Sequence, residues 1–158
     1  MKQVQVTFTL NERKVSLASD AGRTLLEVLR EDLRLTGAKD GCGGEGECGA
    51  CTVLMGGNPV NSCLVLIGQV EGHTVETIEG ISVGDRLHTL QKAFVEAGAV
   101  QCGYCTPGAI MAAKALIDHN PRPQEEEIRG ALSGNLCRCT GYVKMIDAVR
   151  LAAEEMRA

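Results

Sequence analysis

The sequence predicts an α+β protein in which a strand-rich half precedes an all-helical half. Apolar and polar residues alternate from Val4 to Leu10, and this period of two predicts a β-strand. Beyond residue 85 the apolar residues follow a helical spacing, and prolines near residue 121 interrupt it. Runs of strands followed by runs of helices indicate separate domains. We therefore expect one domain over residues 1–79 and a second over residues 80–158.

The elements of the first half are bounded by turn and capping signals. A turn over residues 11–14 leads into a partner strand that begins at Val15. Thr24-Leu-Leu-Glu27 is a capping box, and the apolar stripe after it predicts a helix of about three turns. Gly56-Gly57-Asn58 separates the two strands of a hairpin, and residues 75–78 predict one more strand.

Four helices are predicted in the second half. They span residues 85–97, residues 106–119, a segment that begins at residue 125, and a segment from Tyr142 to Met156. Thr106 is placed to cap the second of them, whose first position is then Pro107. Three glutamates open the third helix, where the helix dipole favours negative charge.

Composition and charge exclude several classes of protein. The 158 residues include 16 Lys and Arg against 20 Asp and Glu, a net charge of −4, and aromatic residues make up 3%. An acidic balance without a basic cluster argues against nucleic acid as a partner. No apolar run reaches the roughly 18–20 residues of a membrane span, and the alternating start lacks the apolar core of a signal peptide. We therefore expect a cytoplasmic protein.

Eight cysteines are the most unusual feature of the composition. They form two quartets, one in each predicted domain: Cys42, Cys48, Cys51 and Cys63, then Cys102, Cys105, Cys137 and Cys139. In a reducing compartment, cysteines grouped in this way indicate metal ligation rather than disulfides. Four thiolates suit either zinc or an iron–sulfur cluster.

The spacing of the quartets favours iron–sulfur clusters. Structural zinc usually takes two C-x(2–4)-C pairs, whereas the first quartet reads C-x5-C-x2-C-x11-C and the second C-x2-C-x31-C-x-C. The first lies closer to the plant-type run C-x4-C-x2-C. Glycines between Gly41 and Gly49 allow backbone N–H groups to approach and face the sulfurs. Cys105 precedes a predicted helix start, which favours a thiolate.

Five segments resemble the small iron–sulfur subunit of the xanthine oxidase family, the molybdenum hydroxylases. They are residues 41–53, 61–63, 77–80, 101–108 and 134–142. The resemblance covers nearly the whole chain, and the two cysteine signatures occur in the family's order. It implies an N-terminal β-grasp domain, like plant-type ferredoxins, with one 2Fe-2S cluster. An all-α four-helix bundle with a second 2Fe-2S cluster would follow.

The same resemblance implies ligands, cofactors and partners. The first cluster would be bound by Cys42, Cys48, Cys51 and Cys63, and the second by Cys102, Cys105, Cys137 and Cys139. Gln101 and Cys139 would lie against a molybdopterin held by a large subunit, and a medium subunit would bind FAD. Electrons would pass from the molybdenum site through the second cluster and the first cluster to FAD. The family commonly assembles as a dimer of heterotrimers. This chain would be the electron-transfer subunit of an oxidoreductase complex, without a substrate site of its own.

The sequence departs from the family pattern in the first loop. Five residues separate Cys42 from Cys48, where the family usually has four, and we expect the glycines to absorb the extra residue as a small bulge. Tyr104 stands where the family often has Phe, and we expect it to pack and to form a hydroxyl hydrogen bond. The carboxylates of Asp40, Glu45 and Glu47 are expected to be solvated.

Two other functions compete with the relay. A free-standing two-cluster ferredoxin that serves several enzymes would also need both quartets. A structural zinc module would use the same thiolates without any redox role.

Overall fold

The described residues of the first half of the chain form a five-stranded mixed sheet. The computed structural model describes residues 2–157. The strands are β1 (Gln3–Leu10), β2 (Arg13–Asp20), β3 (Thr52–Met55), β4 (Asn58–Asn61) and β5 (Thr74–Glu76), and they lie in the order β2-β1-β5-β3-β4. The pairing of β1 with β5 is parallel, and the other pairings are antiparallel. All the predicted strands are present, although β5 ends earlier than predicted because a 3-10 turn begins at Ile78.

The helix after β2 is shorter than the three turns predicted. Helix α1 covers Leu25–Glu27 and continues as a π-helical turn over Val28–Asp32. The predicted capping box is formed, since Glu27 N–H donates to Thr24 Oγ1 (3.2 Å) and Thr24 N–H donates to Glu27 Oε2 (2.6 Å). Arg34 then adopts a left-handed conformation with φ +59°, which a right-handed helix cannot continue through.

Within residues 2–157, four helices follow the sheet, as predicted. They are α2 (Thr89–Glu96), α3 (Thr106–His119), α4 (Glu125–Leu132) and α5 (Val143–Glu155). The predicted start of α2 at residue 85 was wrong, because Val83 and Arg86 form a tight turn through paired backbone hydrogen bonds. The helix instead begins after His88, whose Nδ1 accepts the N–H of Leu90 at 3.2 Å.

The ends of two other helices also differ from the prediction. Cys105, and not Thr106, occupies the N-cap position of α3. Tyr142 lies outside α5 in a left-handed conformation with φ +68°, and Met156 follows the last helical residue. Capping positions depend on where the backbone leaves helical geometry, and side-chain periodicity locates that point only within a residue or two.

Two apolar cores lie on either side of a boundary between the sheet and the helices. One core contains Phe8, Leu29 and Val53, and the other is built around Phe94 and Met111 of the helices. Leu54 of β3 belongs to the helical core, and α3 packs against β3. The mixed sheet and the helices confirm the α+β class. Over residues 2–157, no helix has the length and apolarity that crossing a membrane requires.

Candidate metal centres

The first four cysteines converge beside the sheet. Cys42 and Cys48 lie in the loop that follows α1, Cys51 directly precedes β3, and Cys63 follows β4. Cys42 and Cys48 lie near enough to shift each other's pKa, and Cys51 lies near enough to Cys63 to raise its pKa. Cys42 also acts electrostatically on Cys63, so the two pairs share one site.

Backbone N–H groups surround the sulfur of Cys42. Those of Cys48 and Glu47 donate to it and lower the pKa of this thiol to about 7. Burial, with Cys51 alongside, raises the pKa of the Cys63 thiol to about 12. Thiolate ligands must lose their protons to bind metal. At Cys63, a bound cation would replace the proton and neutralise the charge of the buried thiolate.

Asp40 binds the backbone at the start of the first loop. The N–H groups of Gly43 and Gly44 donate to Asp40 Oδ1 at 2.8 and 3.3 Å, and both glycines have positive φ. The Tyr104 hydroxyl donates to the carbonyl of Asp40, which confirms the expected hydroxyl bond. The sequence analysis treated Asp40 as a solvated charge and missed this role. An Asp three residues before a Gly-Gly pair is the turn signal that would have indicated it.

The second four cysteines converge between the ends of three helices. Cys102 and Cys105 precede α3, and Cys137 and Cys139 lie between α4 and α5. The sulfur atoms of Cys102 and Cys139 are 3.7 Å apart, and Cys105 contacts Cys137. A tetrahedral metal with metal–sulfur bonds of about 2.3 Å separates two of its thiolates by about 3.8 Å. Cys102 and Cys139 are therefore spaced as two ligands of one metal atom.

The arrangement of the thiols in pairs fits a two-iron cluster. Each iron of a 2Fe-2S cluster takes two protein ligands, whereas structural zinc needs four ligands around one point. Two pairs of thiols in each quartet thus form a donor set that suits one 2Fe-2S cluster.

Thr140 and Tyr142 hold the loop that contains Cys137. Thr140 Oγ1 lies 3.1 Å from Cys137 Sγ, and the Tyr142 hydroxyl accepts the N–H of Cys137 at 2.8 Å. Burial works to raise the pKa of the Cys137 thiol, but the bonds from Thr140 outweigh it and lower the pKa to about 7. Burial raises the pKa of Cys105 to about 12. The sequence analysis did not identify either partner of Cys137.

Direct contacts join the two sites. The N–H of Leu136 donates to the carbonyl of Cys48 at 2.9 Å, and Asn135 Nδ2 donates to the carbonyl of Gly49 at 2.9 Å. A cleft of about 660 Å³ is lined by Cys48 of the first quartet and by all four cysteines of the second: Cys102, Cys105, Cys137 and Cys139. The two groups of cysteines therefore lie side by side.

Comparison with protein families agrees with this geometry. A family model described as a 2Fe-2S iron-sulfur cluster binding domain matches residues 8–73, and one described as a 2Fe-2S binding domain matches residues 77–150. The fold and the two sites thus define a protein with two 2Fe-2S cluster-binding domains.

Individual relatives are similar over nearly their whole length. The nicotinate dehydrogenase small FeS subunit of Eubacterium barkeri is 52% identical and matches over 98% of each chain. The nicotine 6-hydroxylase small subunit of Paenarthrobacter nicotinovorans is 48% identical, over 93% of this chain and 88% of the relative. The crystal structure of quinoline 2-oxidoreductase from Pseudomonas putida 86 has a TM-score of 0.94 at 42% identity, covering 99% and 98% of the two chains. The chain belongs to the small iron–sulfur subunits of the xanthine oxidase family.

Proposed function

We propose that this chain is the electron-transfer subunit of a heteromeric molybdenum hydroxylase. It would relay electrons from a molybdopterin site in a large subunit, through the second and then the first 2Fe-2S cluster, to an FAD subunit or another acceptor. The contact between the quartets carries the proposal, because Leu136, the neighbour of Cys137, donates directly to the carbonyl of Cys48. The clusters supply one-electron storage, and this chain holds the two storage sites in contact.

The ligand assignment follows the two quartets. We assign Cys42, Cys48, Cys51 and Cys63 to the first cluster, and Cys102, Cys105, Cys137 and Cys139 to the second. Cys51 and Cys63 are buried, whereas Cys102 and Cys139 are exposed. The second site is thus open on one side, as a site facing a cofactor in another subunit would be.

Gln101 and Cys139 are our candidates for contact with the molybdopterin. Gln101 is exposed and precedes Cys102, whose sulfur is 3.7 Å from that of Cys139. All three residues therefore lie at one open edge of this chain. A large subunit that covered this edge would exclude water from the second cluster.

The domain boundary and the assembly are further parts of the proposal. We assign residues 1–79 to a β-grasp domain of the ferredoxin type and residues 80–158 to a four-helix bundle. The two apolar cores and the separate family matches support this division. A medium FAD subunit, a dimer of heterotrimers and a cytoplasmic location are carried over from the family.

Substrate choice is assigned to the large subunit. The three relatives compared above are named for nicotinate, nicotine and quinoline, yet all are 42–52% identical to this chain. A small subunit that keeps this similarity while the named compound changes is suited to the common step, which is electron transfer.

The relay is tested with Cys102→Ser and Cys139→Ser in the complex assembled with its partner subunits. We expect loss of the second cluster's EPR signal and of turnover with the acceptor, while substrate still reduces the molybdenum site under anaerobic conditions. Cys63→Ser is the matched variant, because it should remove the first cluster's signal and leave the second cluster reducible. Unchanged turnover in Cys102→Ser would refute the relay.

The same preparation tests the alternatives. A free-standing ferredoxin would elute alone on size exclusion after co-expression with the partner subunits, whereas the proposed subunit would elute in a stable complex. A colourless protein that contains zinc instead of iron would overturn the redox function altogether.

A further inference from the structure

We propose that Thr140 raises the reduction potential of the second cluster by donating its hydroxyl hydrogen to the Cys137 thiolate. The inference rests on the proposed function in one respect, the assignment of Cys137 as a cluster ligand. Neither the cysteine spacing nor the family resemblance gives Thr140 a role.

The geometry at Cys137 places two donors of one residue on the same sulfur. Thr140 Oγ1 is 3.1 Å from Cys137 Sγ, and the backbone nitrogen of Thr140 is 3.4 Å from it. Both residues are half-buried, so solvent competes only partly for the contact. The sulfur is therefore held at a fixed distance from a hydroxyl group.

The direction of the hydroxyl bond is set by its neighbours. The backbone N–H of Tyr142 lies 3.3 Å from Thr140 Oγ1, and an N–H group can only donate. The oxygen accepts that hydrogen, which leaves its own hydrogen free for the sulfur. A metal-bound thiolate has no hydrogen to give and can only accept. The chain of bonds thus runs from Tyr142 through Thr140 to Cys137.

Donors to a ligand sulfur stabilise the reduced cluster more than the oxidised cluster. The added electron increases the negative charge on the sulfurs, and a hydrogen bond to a charged acceptor is stronger than one to a neutral acceptor. Within residues 2–157, the bond from Thr140 is the one side-chain hydroxyl bond to a cysteine sulfur. At Cys42, by contrast, backbone N–H groups are the main donors. A substitution at Thr140 therefore acts on one cluster selectively.

The test is an EPR-monitored redox titration of the assembled complex with Thr140→Val and Thr140→Ser. At the potential that half-reduces the wild-type second cluster, we expect Thr140→Val to raise the ratio of oxidised to reduced cluster about tenfold. A tenfold change for one electron is a shift of about 59 mV, here to a more negative potential. Thr140→Ser keeps the hydroxyl and should stay near the wild-type value.

Two controls separate this effect from a general disturbance. The first cluster serves as an internal reference and should keep its potential in both variants. Thr106→Val removes a hydroxyl beside Cys105 that, among the described residues, forms no hydrogen bond to a sulfur, and it should change neither potential. A shift as large in Thr106→Val as in Thr140→Val would overturn the proposal.

A spectroscopic readout distinguishes electronic tuning from positioning of the loop. In ENDOR spectra of the reduced second cluster, Thr140→Ser should retain an exchangeable proton coupling that Thr140→Val lacks. An intact second-cluster signal with an unchanged potential in Thr140→Val would overturn the proposal. If Thr140→Val and Thr140→Ala both fail to load the cluster while Thr140→Ser loads normally, the hydroxyl positions the loop and the tuning role is wrong.

The failure of the proposed function would look different. Cys137→Ala would then retain the second-cluster signal with wild-type spectral shape, since Cys137 would not be a ligand. Loss of that signal in Cys137→Ala, together with an unshifted Thr140→Val, would leave the ligand assignment standing and reject only the role of Thr140.

Discussion

The backbone at Gly49 joins the two cysteine loops. The carbonyl of Gly49 accepts hydrogen bonds from Asn135 Nδ2 at 2.9 Å and from Thr52 Oγ1 at 2.7 Å. Gly49 has φ +66°, and a Cβ added there would lie 2.1 Å from the carbonyl oxygen of Gly134. Both its conformation and its close approach therefore require glycine.

At this residue scale we predict that Gly49→Ala destabilises the protein much more than Gly57→Ala. Gly57 also has positive φ (+81°), but a Cβ there would meet nothing within 4 Å. Gly57→Ala should therefore lose only the roughly 1–2 kcal/mol that an L-residue with a Cβ costs in the left-handed conformation. Gly49→Ala adds a clash worth about 1–3 kcal/mol. Denaturant-induced bleaching of the cluster absorbance compares the stability of the two variants. Equal losses of stability would show that the close approach of Gly49 to Gly134 adds no cost.

One ion pair links elements from the two halves of the chain. Lys114 Nζ of α3 lies 3.1 Å from Glu76 Oε2 of β5 and 2.7 Å from Asp118 Oδ2. Burial alone would lower the pKa of Lys114, but the bonds to Asp118 and Glu76 outweigh it and raise the pKa. The Lys114 side chain is 15% exposed, so little solvent screens the contact between the sheet and the helix.

At the scale of elements we predict that Lys114→Met lowers the free energy of unfolding by about 1–3 kcal/mol. The value is below the 3–5 kcal/mol of a fully buried pair, because both carboxylates can regain water. Arg129→Met is the matched control, since Arg129 pairs with Glu125 on α4 and is 57% exposed. It should cost about 0–1 kcal/mol. Chemical denaturation measures the free energy of unfolding of both variants. Equal losses would show that the contact between the sheet and the helix adds no more stability than an exposed ion pair.

For the whole molecule, each cluster would tie together segments that are distant in the sequence. The first quartet spans residues 42–63 and the second residues 102–139, and aromatic residues, which usually dominate cores, make up only 3% of the chain. Metal binding that is absent from the unfolded chain adds directly to folding stability. We therefore expect the clusters to stabilise the fold as well as to store electrons.

We predict that removal of iron by chelation loosens the cysteine loops before the helices. Amide hydrogen exchange should rise most in residues 37–51, 101–105 and 134–142 and least in α3 and α5, whose apolar residues form the helical core. Thermal unfolding should also occur at a lower temperature. A holo sample kept without chelator is the reference, and identical exchange in the two samples would contradict a structural role for the clusters.

Much of the fold was predictable because its signals are local. The alternation in β1, the glycine turn between β3 and β4 and the capping box at Thr24 each depend on residues within a few positions of one another. The short spacings from Cys48 to Cys51, from Cys102 to Cys105 and from Cys137 to Cys139 are local in the same sense, and they indicated candidate metal ligands.

Contacts between residues far apart in the sequence were decided only by the tertiary structure. Asn135 and Gly49 are 86 residues apart, and their bond joins the loop after α4 to the loop before β3. The hydrogen bond from the N–H of Leu136 to the carbonyl of Cys48 and the pairing of individual thiols also join distant residues. The hydroxyl bond of Thr140 is short-range, yet its direction depends on the N–H of Tyr142, a residue that periodicity placed inside a helix. The sequence by itself determined which residues could bind metal, and the packing of distant segments determined how the two sites meet.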